Sequence, residues 1–136
     1  PTLHGTNRPR EEQVPTLSRV LLRKDGFTCV EADYEAGEFT TPPLAVAGQA
    51  LHLNIDTSAV GIARVELQDE SGTPIEGFSL DECDRIHTTN ATDRIVTWGR
   101  GVSALPELTD RPVRLRIELR FGARLYAFRF GRSGLP

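Results

Sequence analysis

Leu51-His52-Leu53-Asn54-Ile55-Asp56, followed by Arg64-Val65-Glu66-Leu67-Gln68 and later by Val113-Arg114-Leu115-Arg116-Ile117-Glu118-Leu119-Arg120, decides the fold. Every second residue of these segments is apolar, which is the period of a β-strand, where successive side chains point to opposite faces. The alternate positions carry His52, Asn54, Asp56, Arg64, Glu66, Gln68, Arg114, Arg116, Glu118 and Arg120. A sheet with one apolar and one charged face buries the first against a second layer and leaves the second wet. The periodicity therefore reads as an all-β fold, an antiparallel two-sheet β-sandwich.

Turn signals on either side divide the remaining chain. Leu17, Val20, Leu21 and Leu22 precede a Lys24-Asp25-Gly26 turn, and Phe27 to Tyr34 reads as a strand that ends at Glu35-Ala36-Gly37. Glu38 to Thr41 continues briefly until Pro42 and Pro43 stop it, and Thr57 to Gly61 links the strand 51–56 to the strand 63–69. Glu70-Ser71-Gly72-Thr73 reads as a hairpin turn, with a short returning strand around Ile75 to Leu80. Asp81 to Asp93 is a polar loop, long for a compact domain, and Arg94 to Trp98 resumes as a strand. After a crossing from Val102 to Asp110 come the strand at Val113, a turn at Gly122 and a last strand from Leu125 to Phe130. That makes about eight or nine short strands with no helix, a pattern that suits a sandwich of jelly-roll type.

Composition bounds what such a domain can do. The chain has 136 residues, enough for one core, and residues 17–136 read as a single domain preceded by a linker or surface strap at 1–16. Sixteen basic and 19 acidic residues are mixed along the chain and give a formal charge of −3, so there is no basic stripe to track a phosphate backbone, and nucleic acid is not an expected partner. No run approaches the roughly 18 apolar residues of a membrane span, and no membrane partner is expected. The chain begins at Pro1 and contains no Met, which reads as a module taken from a longer protein.

Cys29 and Cys83 are the only cysteines. Two buried small hydrophobes is the simpler reading, and a disulfide stays open, because spacing alone does not bring two α-carbons within roughly 7 Å. With three scattered histidines and no CxxC or HxxxH spacing, a closed zinc site is not expected. No metal or other cofactor is expected. Calcium would need hard oxygen ligands, and the Asp-x-Asp-x-Asp-Gly order of a calcium loop is absent.

The polar loop gathers Asp81, Glu82, Asp84 and His87, the one place where acid–base chemistry could assemble. A solvated loop is the plainer account, since carboxylates this close in sequence rarely face one another across a substrate. No GxSxG elbow, Walker-type loop or GxGxxG turn occurs. A small hydrolase built on Asp81, Asp84 and His87 is thus the third reading of the chain. Sugar binding asks less of a sequence, needing an aromatic ring to stack on a pyranose and a few planar polar groups around it. Trp98 and Tyr34 are the candidate rings, with Asp81, Asp84 and His87 as hydrogen-bonding partners. Tyr126, beside Phe128 and Phe130, reads as structural, as does the charged stripe from Arg64 to Glu118, which suits cross-strand ion pairs. If Trp98 carries a sugar, Trp98→Ala should lose binding and stay folded. Asn90-Ala91-Thr92 matches a glycosylation sequon, a triplet that also arises by chance.

Lys24-Asp25-Gly26-Phe27, Gly37-Glu38-Phe39-Thr40-Thr41-Pro42-Pro43-Leu44, Leu51-His52-Leu53-Asn54, Arg64-Val65-Glu66-Leu67-Gln68-Asp69, Gly77-Phe78-Ser79-Leu80 and Pro112-Val113-Arg114-Leu115-Arg116 occur in that order. Taken together, over residues 23–130, they resemble the carboxy-terminal β-sandwich module of bacterial glycoside-hydrolase-like proteins with a sucrase- or fructosidase-type β-propeller. The resemblance implies a non-catalytic accessory domain in a secreted protein, extracellular or periplasmic, with the catalytic carboxylates on the propeller. It implies, as the first reading, an accessory module of a carbohydrate-active protein that binds a glycan, with a structural module packing on the neighbouring domain of the parent chain as the alternative, and it transfers no binding residue. In the docking alternative, Leu44, Val46 or Leu105 should lie exposed in the isolated module.

Overall fold

The computed structural model describes residues 17–105 and 111–132, so the strap expected at 1–16 and part of the crossing before Arg111 lie outside it. The described chain is all β. Its strands are β1 (Val30–Glu31), β2 (Gly37–Thr40), β3 (Ala50–Asp56), β4 (Ile62–Gln68), β5 (Ile86–His87), β6 (Asn90–Ile95), β7 (Arg114–Arg120) and β8 (Arg124–Gly131). They form two antiparallel four-stranded sheets, sheet A in the order β1-β8-β3-β6 and sheet B in the order β2-β7-β4-β5. The chain is a β-sandwich, and the period-two segments are its three most regular strands.

Leu51, Leu53 and Ile55 of β3 face Val65 and Leu67 of β4 and Leu115, Ile117 and Leu119 of β7, all at most 1% exposed. Alternation delivers this core directly except in β8. There Asn54 pairs with Ala127 and Ile55 with Leu125, which leaves Tyr126 as an unpaired extra residue. The bulge resets the parity of the strand, so Phe128 opposite Leu53 and Leu125 opposite Ile55 both join the core although they are three apart. Tyr126 is released from the core row. The arch from β3 to β4 is tight: the Gly61 amide donates to the Thr57 carbonyl at 2.8 Å, and Thr57 is fully buried.

Several sequence expectations are corrected. Of the expected strand 27–34 only Val30–Glu31 pairs, and Leu17, Val20, Leu21 and Leu22 before it lie outside any strand at 66–103% exposure. Residues 75–80 do not return as a strand, because Pro74 has no amide to donate and Gly77 turns the chain at φ 84°. The expected loop 81–93 contains β5 and the start of β6, and the strand expected at 94–98 begins four residues earlier. The docking candidates Leu44 and Val46 are half-buried and Leu105 is buried. Both cysteines are free, but Cys29 is exposed, contrary to the buried reading. Burial pushes the Cys83 thiol up to about 11, and its sulfur accepts the Val65 amide at 3.2 Å. A thiol reagent should therefore label one cysteine in the native protein and two in denaturant, as mass spectrometry would read directly.

The outer face of sheet B is a lattice of ion pairs. Arg64 sits opposite Glu118 and bonds it through Nη2 at 2.8 Å and Nε at 3.0 Å, while Arg120 reaches the other oxygen at 2.9 Å. Arg116 lies between Glu38 at 2.7 Å and Glu66 at 3.5 Å. Glu38 and Glu118 pair directly in register, a like-charge juxtaposition relieved because Glu38 leans onto Arg116. Burial alone would raise the Glu118 carboxyl, but hydrogen bonds from Arg120 and Arg64 outweigh it and hold the group below the usual range. A lowered folded value means the contribution is present above the unfolded glutamate pKa of roughly 4.3 and is lost as pH falls through the folded one. Replacing Glu118 by Gln should therefore flatten the decline of the urea midpoint below that pH, and an unchanged acid limb would exclude the carboxylate as its source.

Candidate functional site

The five residues singled out by the sequence are not gathered into one site. Trp98 is fully buried, its Nε1 donates to the Val65 carbonyl at 2.9 Å, and its ring meets Phe78 edge-on at 5.2 Å. It offers no face to a sugar. Asp84 caps the turn after Trp98, accepting from Thr97 Oγ1 at 2.7 Å, the Gly101 amide at 2.7 Å and the Arg100 amide at 3.1 Å. The Thr97 hydroxyl and these amides hold its carboxyl below the usual range. Glu82 likewise closes a local turn by accepting from the Ser79 hydroxyl at 2.8 Å and the Ser79 amide at 3.2 Å. Asp81 stands out in solvent 3.6 Å from Arg64, and His87 lies exposed on β5 against the Thr88 hydroxyl. Tyr34 is 86% exposed on the loop between β1 and β2, touching Phe121 edge-on.

A different set converges on the outer face of sheet A. His52 and Asn54 occupy the polar positions of β3, yet both are at most 5% exposed, because side chains of β6 and β8 and the backbone before β1 close over them. His52 Nδ1 lies 2.9 Å from Asp93 Oδ1, and its Nε2 lies 3.1 Å from the Arg132 carbonyl. Arg129 Nη2 donates to the same Asp93 oxygen at 2.6 Å. Asn54 Nδ2 donates to the Lys24 carbonyl at 2.6 Å, which brings Lys24 and Asp25 up as one wall. Between that wall and Asp93 runs a half-open cleft of about 220 Å³.

Partial burial raises the Asp93 carboxyl, but the Arg129 hydrogen bond, with His52 and the Arg129 charge beside it, outweighs burial and holds the group below the usual range. Both ring nitrogens of His52 are engaged, so neither is available to take a proton from a ligand. With the polar atoms of His52 and Asn54 engaged inside the protein, the arrangement can present a carboxylate, a guanidinium and an ammonium to a small polar ligand. Its volume is below the roughly 300 Å³ at which pockets for drug-sized ligands begin, so one ring or one side chain would fill it. Among the described residues no three His, Cys, Asp or Glu side chains gather to hold a metal ion. Alternation assigned His52 and Asn54 to solvent, and the signal overlooked is a His and an Asn at the outward positions of a strand that alternates without a break.

No family model, curated protein or solved structure matches the chain.

Proposed function

We propose that the chain is a non-catalytic accessory module that acts by docking on a protein surface, the neighbouring domain of its own parent chain. The observation that carries this reading is the run of apolar side chains turned to solvent near the start of the described chain: Leu17, Val20, Leu21 and Leu22, then Phe27 at 86% exposure. Isolated exposed apolar residues are ordinary, but five within eleven positions need a partner to be buried. The carboxylates that would have served a hydrolase cap turns or stand alone, which favours a module without chemistry of its own. The strand order of the two sheets supports a jelly-roll type within the sandwich class.

The test is a photo-cross-linker at position 27 in the full parent protein. Cross-links concentrated on one face of the adjacent domain, and lost when Leu21, Leu22 and Phe27 are all replaced by Ser, are the expected result. These side chains are exposed, so the substituted module should keep its unfolding free energy in urea within about 0.5 kcal/mol. Scattered cross-links, or a pattern indifferent to the substitutions, would exclude docking by this segment.

A glycan is the second reading, favoured by the convergence of planar polar groups in the sheet A cleft. It predicts saturable retention on a polysaccharide in affinity electrophoresis that Asp93→Ala and Arg129→Ala both weaken. Retention unchanged by both substitutions would remove the cleft from the reading.

A further inference from the structure

Arg23 belongs to a segment that hardly packs on its own domain, yet its side chain is the most fully engaged on the outer face of sheet A. Its Nε donates to Asn54 Oδ1 and its Nη1 to Asn90 Oδ1, while its Nη2 donates to the Ala91 carbonyl at 2.7 Å and the Ile55 carbonyl at 3.1 Å. The guanidinium carbon stands 4.7 Å from the centre of the Tyr126 ring. Four acceptor oxygens around the guanidinium and an aromatic face beneath it match the donor fork and the flat cation of arginine, and they match a lysine ammonium poorly.

The sheet supplies every oxygen and the ring of this receptor, and of these groups the Asn54 amide is also tied to the arm, through the Lys24 carbonyl. The register of β3 shifts against β8 between Asn54 and Ile55 and against β6 between Leu53 and Ile55, so both irregularities fall at one level. The first frees Tyr126 from its strand pairing and turns its ring to the outer face, the kind of re-aiming that bulges perform. The arm around Arg23 is held lightly by comparison. Leu21 and Leu22 before it are 75% and 66% exposed, Phe27 after it is 86% exposed, and the other side-chain tie nearby is Asn54 to the Lys24 carbonyl.

We propose that this is a guanidinium-recognition site, filled in the isolated chain by its own Arg23 and open to an arginine side chain of another polypeptide when the arm is drawn away. The proposal is independent of apolar docking, because its test leaves Leu21, Leu22 and Phe27 unchanged. Arg23→Ala empties the site, and the probe is N-acetyl-arginine amide, titrated by NMR and by thermal shift against N-acetyl-lysine amide.

The variant should bind the arginine probe saturably and gain melting temperature from it, with the lysine probe weaker by about tenfold or more. The unaltered protein should show no saturable binding, and adding Asn90→Ala to the variant should weaken the probe further. If Arg23→Ala does not fold, Arg23→Lys keeps the charge without the fork and is titrated in the same way. Absence of saturable binding to a folded variant, or equal binding of the two probes, overturns the proposal. So does a chain that folds only with Arg23 in place, since the contact is then a fixed clasp.

Discussion

Replacing Trp98 by Ala should destabilise the domain by about 3–5 kcal/mol, the range for deleting a fully buried large aromatic, and leave little folded protein at ordinary temperature. The indole is 0% exposed, wedges edge-on against Phe78, and satisfies the Val65 carbonyl from inside the sandwich. Its loss opens a cavity between the sheets and strands that carbonyl without a donor, and both effects act in the same direction. The ligand-stacking role read from the sequence predicts the opposite, a folded protein that no longer binds. Urea denaturation decides between them. An unchanged midpoint would take the indole out of the core, while Trp98→Phe should recover part of the loss, since it fills some of the space and still lacks the donor.

Gly61→Ala should cost at least about 2 kcal/mol, because it breaks a buried backbone hydrogen bond in addition to straining the chain. A β-carbon at position 61 would lie 2.4 Å from the Thr57 carbonyl oxygen, a backbone atom that cannot swing aside. That oxygen accepts the Gly61 amide, and the same buried Thr57 bonds Thr89 through both its amide and its hydroxyl. One methyl group therefore pushes on the arch that joins the two sheets. Gly77→Ala is the control: it has open space around it but a positive φ, so only a conformational cost of roughly 1–2 kcal/mol applies. Equal losses in the two variants would mean that the arch relaxes freely.

Where one strand's own alternation decides burial, the sequence was legible. In β3, β4 and β7 the apolar positions are the core, and the charged positions of sheet B pair across strands as their types suggest. Legibility failed where parity is reset or a remote segment intervenes. The bulge at Tyr126 hides the true face of β8, and Pro74 with Gly77 removes a strand that the composition of 75–80 favours. The candidate site failed for a related reason. Outward was equated with wet, yet His52 and Asn54 are covered by Asp93, Arg129, the Arg23 side chain and the Lys24 carbonyl, partners 30 to 77 residues away in the chain. The acidic loop invited a catalytic reading because Asp and Glu are common there, and they are common partly because short carboxylates satisfy turn amides, as Asp84 and Glu82 do.

The strand order also dictates when this chain can fold. The central pair of sheet A joins β3 to β8, and that of sheet B joins β4 to β7, so neither sheet has its middle until residues beyond 113 are present. Among the described strands of the first two-thirds of the chain, β4 and β5 pair as sequence neighbours, through Ile62 with His87 and Ala63 with Ile86, which is too little to close a sheet. On the ribosome the apolar rows of β3 and β4 must wait, uncovered, for the carboxy-terminal strands, and refolding belongs to the slow, millisecond-to-second regime of long-range β topologies. Truncation inside β8 should thus yield an aggregating chain in place of a smaller stable sandwich.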